Sequence, residues 1–280
     1  MTDSERTSEG APVSRGSGAS ALPAWAAWPV KALLVLAGIA PAAVASVLIL
    51  VAIALAVAYP NLPEISGLTD YRPKLPMRIF SADEVLLGEF GEERRSFAPI
   101  AEIPKVMQQA VLAIEDARFY EHSGVDYKGV LRAGLAHLSE SRSQGASTIT
   151  MQVARNFYLS TEKTFTRKIY EVLLALKIES LLSKEQILEV YMNQIFLGQR
   201  AYGFAAASEI YFGKPLKDLS IAEAAMLAGL PKAPSAYNPI VNPKRATERQ
   251  QYIIDRMLEN GFITAGQHDA AKAETLRYRT

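Results

Sequence analysis

From Ala32 to Tyr59 the chain runs 28 positions without a charged residue. As a helix this stretch is about 42 Å long, against roughly 30 Å for the hydrocarbon core of a bilayer. The run predicts a transmembrane helix over 31–59, flanked by Trp25 and Trp28 and closed by Tyr59 as interfacial anchors. Pro41 is expected either to kink this helix or to mark its start. The run is too long for the apolar region of a cleaved signal peptide, and a polar leader precedes it. That leader, residues 1–30, begins with a Ser/Gly/Ala/Pro-rich stretch expected to be disordered.

Beyond the apolar run the pattern changes twice. Residues 60–100 form a connector. Its first part, Y-P-N-L-P-E-I-S-G-L-T-D-Y-R-P-K-L-P, is punctuated by prolines and expected to be extended. Met77–Phe80 and Val85–Phe90 flank S-A-D-E and predict a short hairpin. From Ile103 onward nearly every segment has helical spacing. Val106, Ala110, Val111 and Ile114 form one apolar stripe. Ser183 with Gln186, and Ser220 with Glu223, are capping-box starts. Pro231 ends the second of those helices, and Pro243 opens another that runs to a C-cap at Asn260–Gly261.

The stripe ending at Ile114 runs into two adjacent acids, Glu115 and Asp116. A helix C-terminus favours cations, so each acid is misplaced by roughly 0.3–1 kcal/mol. A carboxylate near both apolar surface and a helix end should have a raised pKa, which suits a proton acceptor. Such departures from local rules gather at functional sites, which makes Glu115 the first candidate for chemistry.

Two further stretches carry candidate groups. In G-A-S-T-I-T-M-Q-V-A-R-N-F-Y-L, residues 145–159, Gly145, Ser147 and Thr148 precede an apolar helical run. The free N–H groups of that helix start could receive an anion, or Ser and Thr could serve only as caps. Gln152 and Arg155 lie one and two turns inside. In T-R-K-I-Y-E-V-L-L-A-L-K-I-E, residues 166–179, Glu171 is spaced i,i+4 from Arg167 and i,i+3 from Lys168. Ile169, Val172, Leu173 and Leu176 make this helix apolar around much of its girth, so it is expected to be mostly buried. Charges on a buried helix need a reason, and binding a phosphorylated substrate would supply one.

Composition narrows the classes. With 30 basic and 29 acidic residues and a formal charge of +1, there is no electrostatic case for nucleic-acid binding. The absence of cysteine excludes disulfides and thiolate metal sites. His122, His137 and His268 are too scattered for a helical metal-ligand pair. Charge around the apolar run does not orient it, because Arg6, Arg15 and Lys31 precede it while Arg72, Lys74 and Arg78 follow.

Taken together these stretches resemble the peptidoglycan glycosyltransferases. E-D-A-R-F-Y-E-H-S-G matches that family's first motif, E-D-x-x-F-x-x-H-x-G, and G-A-S-T-I-T-M-Q resembles the second, usually G-G-S-T-I-T-Q-Q. R-K-I-Y-E fits the third. Residues 184–198, K-E-Q-I-L-E-V-Y-M-N-Q-I-F-L-G, and 223–239, E-A-A-M-L-A-G-L-P-K-A-P-S-A-Y-N-P, resemble the fourth and fifth. Ala146 and Met151 depart from the second motif conservatively. The similarity is greatest to the amino-terminal half of class A penicillin-binding proteins of the 1A type.

The resemblance implies a mainly α fold: a lysozyme-like, bilobal helical glycosyltransferase domain over 101–262, preceded by one transmembrane helix and a short β-hairpin. Residues 263–280 would begin a linker toward a transpeptidase domain, and the S-x-x-K match at Ser160–Lys163 lacks the companions that domain requires. The implied reaction joins lipid II to a growing glycan chain and releases undecaprenyl pyrophosphate. Glu115 becomes the general base. Glu171 lies on the donor side, holding pyrophosphate directly or as a ligand of a divalent metal, Mg or Mn; no cofactor is obligatory. Arg155, Arg167 and Lys168 neutralise the leaving group, while Ser147, Thr148 and Gln152 bind substrate. Asp116, Phe119 and His122 are supports: an ion-pair partner, a core anchor and an orienting hydrogen bond. The expected location is the bacterial cytoplasmic membrane, single-pass, with a cytoplasmic leader and the catalytic domain on the periplasmic or external side. Expected partners are the membrane, the two lipid-linked substrates and other cell-wall synthesis proteins. The apolar segment around Phe157, Tyr158, Leu159 and Phe165 is expected to be a loop that dips into the interface. A lytic, lysozyme-like enzyme and an inactive membrane-anchored scaffold are the rival readings. The Arg167/Lys168/Glu171 cluster argues against the first, and retention of both glutamates against the second.

Overall fold

The computed structural model describes residues 24–69, 77–91, 93–129, 147–159 and 165–279. The leader up to residue 23, the connector at 70–76, Gly145, Ala146 and the Ser160–Lys163 match lie outside them. The chain divides into two units, Met1–Val57 and Ala58–Thr280.

The first unit holds α1, Ala24–Ala58. It starts seven residues before the predicted Lys31 and continues through Pro41, because Ala, Leu and Val on either side sustain an apolar helix that tolerates a missing N–H. Within it and the turn that follows, Ala37–Asn61 contains an 18-residue stretch with a mean hydropathy of 2.7, none of it buried. By length and composition it is able to cross a membrane.

In the second unit the connector is not simply extended. Leu62, Ile65 and Leu68 recur at helical spacing and are buried in the core, with a short helical turn at Ser66–Thr69. Lys177 Nζ donates to the Pro63 carbonyl at 3.1 Å and ties this stretch to the helical domain. The predicted hairpin is present as β1, Met77–Phe80, and β2, Leu86–Phe90, antiparallel, with Glu84 in the left-handed region of the turn.

The helices that follow are α2 (Lys105–Glu115), α3 (Ile149–Tyr158), α4 (Phe165–Leu181), α5 (Lys184–Gln194), α6 (Phe204–Phe212), α7 (Ile221–Ala228), α8 (Pro243–Glu259) and α9 (Ala265–Ala273). They pack in two groups: α2 with α7, α8 and α9, and α3 with α4 and α5, to which α6 joins. Both predicted capping boxes form, at Ser183 and Ser220, and a third forms at Thr264 with Gln267. α8 begins at Pro243 and is capped at Asn260, with Gly261 at φ 71°.

α2 is buried on more than one stripe. Met107, Ala110, Val111 and Ala113 are fully enclosed, and Leu112 and Ile114 nearly so, whereas Val106 is only half-buried. α4 departs the other way. Leu173, Leu174, Ala175 and Ile178 enter the core, but Ile169 and Leu176 are exposed, so this helix is not mostly buried. Phe157 and Tyr158 form the last turn of α3 and, with Leu159, pack partly against the core instead of forming a loop. Phe165 opens α4.

Two polar devices hold the parts in register. The Asn193 side chain accepts from the Ala98 N–H at 2.9 Å and donates to the Ala98 carbonyl at 2.8 Å, acting as a one-residue strand partner. Beyond α5, β4 (Ala201–Tyr202) pairs in parallel with β3 (Arg94–Arg95). At Gly203 (φ 83°) the backbone turns so tightly that a Cβ would lie 2.7 Å from the Asn193 carbonyl oxygen. Residues 263–280, expected as a linker, contain α9 and a tail that folds back. Arg279 N–H donates to Tyr211 O at 2.8 Å, and the Tyr278 ring stacks on Phe212 with centroids 5.6 Å apart.

Gly203→Ala combines the disfavoured φ with a backbone clash. It should lower unfolding stability by roughly 2–4 kcal/mol, measurable by chemical denaturation of the detergent-solubilised chain; loss below about 0.5 kcal/mol would contradict the tight-turn account.

Candidate active site

The site is assembled around the end of α2. Glu115 is the last helical residue and Asp116 caps it with a non-helical backbone, φ −161° and ψ 75°. That break sends the two adjacent carboxylates to different environments.

Asp116 is buried. His122 Nε2 lies 2.9 Å from its Oδ1 and 3.1 Å from its Oδ2, and the Ile149 N–H donates to Oδ2 at 3.0 Å. It therefore supports the start of α3 as well as pairing with His122. Phe119 is fully enclosed, with Lys184 Nζ 4.3 Å above its ring. Gly124 (φ 83°) rests on the backbone of α4, where a Cβ would come within 3.0 Å of Ala175. The Gly124 carbonyl accepts from Thr148 Oγ1 at 2.6 Å. Thr148 is also the N-cap of α3, accepting from Met151 N–H at 3.2 Å. Of the two readings of this helix start, the cap describes Thr148: its hydroxyl is buried and engaged on both sides.

Glu115 has a different setting. Gln152 Nε2, one turn into α3, donates to its Oε2 at 2.7 Å. Burial pushes the Glu115 carboxyl above its ordinary value, while the Gln152 bond and the charges of Arg249, Arg155 and Lys232 pull the other way. The upward direction matches the expectation at the helix end, with desolvation as its main cause. On its other side Gln152 Oε1 accepts from the hydroxyl of Tyr191, an α5 residue enclosed in the core, at 3.4 Å.

The cationic cluster forms on α4. Glu171 is only 1% exposed, with Lys168 Nζ 3.0 Å from Oε2 and Arg167 Nε 3.3 Å from Oε1. Lys168 Nζ also donates to Ser147 Oγ at 2.7 Å. Ser147 and Gln152 sit five residues apart on and before α3, so this helix start links the cluster to Glu115 across little more than one turn, about 5–8 Å of rise. The predicted residues are thus brought together: Glu115, Gln152 and Arg155 at one end, Ser147, Lys168, Arg167 and Glu171 at the other. Glu171 by itself supplies a single carboxylate for a Mg or Mn ion, which a substrate pyrophosphate would have to complete. Two cations already flank it, and among the described residues no cluster of three His, Asp or Glu side chains is available to hold a metal.

Three residues near the base were not singled out from sequence. Lys232 lies in the fifth motif. Arg249 comes from α8, whose polar face looks like ordinary solvated surface, and its guanidinium stands 5.4 Å from the centre of the Tyr237 ring. Tyr191 is indistinguishable by spacing from a core aromatic. Only folding brings these groups to Glu115.

Comparison with known proteins identifies the family. A transglycosylase family model matches residues 83–258. Penicillin-binding protein 1A of Neisseria gonorrhoeae is 61% identical over 230 residues, covering 82% of this chain and 29% of that protein. A Cupriavidus necator protein named for transglycosylase activity is 54% identical over 231 residues, covering 82% of this chain and 91% of its own length. A crystal structure of penicillin-binding protein 1A from Haemophilus influenzae aligns with a TM-score of 0.44 at 31% identity, over 74% of this chain and 22% of that one. The chain belongs to the transglycosylase family, and its helical domain is a peptidoglycan glycosyltransferase. It spans under a third of the length of the penicillin-binding protein 1A relatives it matches.

The raised Glu115 pKa has a consequence for stability. A folded-state value above the unfolded one gives a contribution fully present below the unfolded pKa and lost as pH rises through the folded pKa. At neutral pH the ionised carboxylate therefore weakens the fold. Glu115→Gln should melt at a higher temperature than the native chain at pH 7, the difference vanishing below about pH 4. Scanning fluorimetry across pH checks this, and equal melting temperatures at neutral pH would refute it.

Proposed function

We propose that this domain polymerises lipid II into β-1,4 glycan strands, with Glu115 as general base. The observation carrying this reading is the pairing of one partly buried carboxylate with a separate cationic cluster along the same helix start. The acceptor 4-hydroxyl gives its proton to Glu115 as its oxygen bonds to the donor's anomeric carbon. The bond from that carbon to the phosphate oxygen breaks on the opposite side, and undecaprenyl pyrophosphate departs with the electron pair, inverting the configuration.

Arg167, Lys168 and Arg155 offset the charge that gathers on the leaving pyrophosphate. Glu171 keeps Arg167 and Lys168 aimed at that position, and Ser147 fixes the reach of Lys168. No step requires a metal. A lytic enzyme expels a sugar hydroxyl and has no use for such a cluster, so the cationic helix favours synthesis.

Lipid-linked substrates require the site to work at a bilayer. α1 serves as the anchor, with the domain on the outer side of the cytoplasmic membrane. The exposed Ile169 and Leu176 beside the α4 cations suit contact with the interface.

Glu115→Gln should reduce polymerisation of lipid II by about 10²–10⁴-fold while the fold persists. Glu171→Gln should also impair it, with the donor the more weakly bound substrate. Gel analysis of glycan products, with purified glycan as the parallel substrate, distinguishes the readings. Near-native polymer yield from Glu115→Gln, or shortening of the purified glycan, would end the proposal.

A further inference from the structure

Tyr191 is the largest side chain of the core with a polar tip beside the site, and nothing in the reaction as described uses it. It is 1% exposed. A phenylalanine would fill the same volume, and a buried hydroxyl is costly unless bonded. The hydroxyl's bond is to Gln152 Oε1, at 3.4 Å, and the same amide donates to Glu115 at 2.7 Å. The three side chains come from α5, α3 and α2 and form one line through the core to the base.

A primary amide has two orientations of similar shape and opposite chemistry. With its NH2 group toward Glu115 it favours the carboxylate. Turned over, its carbonyl oxygen would face Glu115 and favour the protonated acid. Tyr191 discriminates between them: turned over, the amide could still donate to the phenol oxygen, but the buried hydroxyl proton would lose the one acceptor it has among the described residues, the Gln152 carbonyl oxygen. Burial and the Glu115 charge push the Tyr191 hydroxyl well above its ordinary value, so it remains a donor throughout the neutral range.

We propose that Tyr191 is a positioning residue for the reaction: its hydroxyl fixes the Gln152 amide with the NH2 group facing Glu115, which keeps the base able to accept a proton. The inference rests on Glu115 being the base. The charged groups acting on Glu115 are Arg155 on α3, Lys232 after α7 and Arg249 on α8. Their fields do not depend on the amide's orientation, so only the hydrogen-bonding part changes when the Tyr191 hydroxyl is removed.

The test uses the full chain in detergent micelles, labelled with carboxyl-¹³C glutamate; the Glu115 resonance is the one absent from Glu115→Gln. In Tyr191→Phe the midpoint of that resonance should move upward by about 0.5–1 pH unit, the range set by one hydrogen bond. The acidic limb of kcat/KM for lipid II should move with it, while the rate on the alkaline plateau stays within about threefold. A merely structural role would lower the plateau and leave both midpoints in place, which overturns the proposal. If Tyr191→Phe fails to fold, Gln152→Met, which preserves volume and removes both bonds, takes over: its midpoint should rise at least as far, and an unmoved midpoint is again contrary. The resonance needs no turnover, so an upward shift together with an active Glu115→Gln would sink the general-base reading alone.

Discussion

The buried charge of Asp116 is met from two directions, by His122 at 2.9 Å and by the backbone N–H of Ile149 at 3.0 Å. The first contact closes the loop that follows α2. The second receives an otherwise free donor at the start of α3, where negative charge is favoured. Thr148 completes the junction by bonding back to Gly124. With α3 pinned here, Gln152 reaches Glu115 and Ser147 reaches Lys168. Removing that junction would disconnect the base from the cations without touching either.

The two glutamates show how one residue type acquires two behaviours. Glu171 is enclosed but lies between Arg167 and Lys168, so its charge is matched at contact distance. Glu115 is partly buried, with one hydrogen bond and only more diffuse positive fields, and desolvation prevails. The domain therefore keeps one acid as a fixed counter-charge and the other as a proton acceptor, at some expense to folding. Sites that store such unfavourable terms are stabilised by the surrounding core, here the fully enclosed residues of α2 and α7.

Much of this was legible because local rules determine it. Capping boxes at Ser183 and Ser220, the proline start of α8 and the hairpin follow from short-range chemistry, and the motif spacing put Glu115, Arg167, Lys168 and Glu171 in the right order. What escaped detection depends on tertiary partners. Leu62, Ile65 and Leu68 looked like part of an extended connector because prolines masked their helical spacing. Ile169 and Leu176 looked like core because apolar character alone does not say which side of a helix is covered. Thr148 resembled a substrate contact until Gly124 supplied its hydroxyl with an acceptor. Tyr191 lies inside the fourth motif but is spaced like any core aromatic, and Arg249 had no local signature at all.

The Asn193 clamp on residue 98 bears on how the domain comes into being. That pair closes a loop of 95 residues, whereas the contacts of Asp116 with Ile149 and Gln152 with Glu115 close loops of 33 and 37. Shorter loops cost less entropy to close, and non-local pairings slow folding. The chemical heart of the molecule can thus gather early in a folding chain, around α2 and α3. Closure costs least entropy at the reacting groups and most at the frame, where the Asn193 amide spans the longest of these three loops.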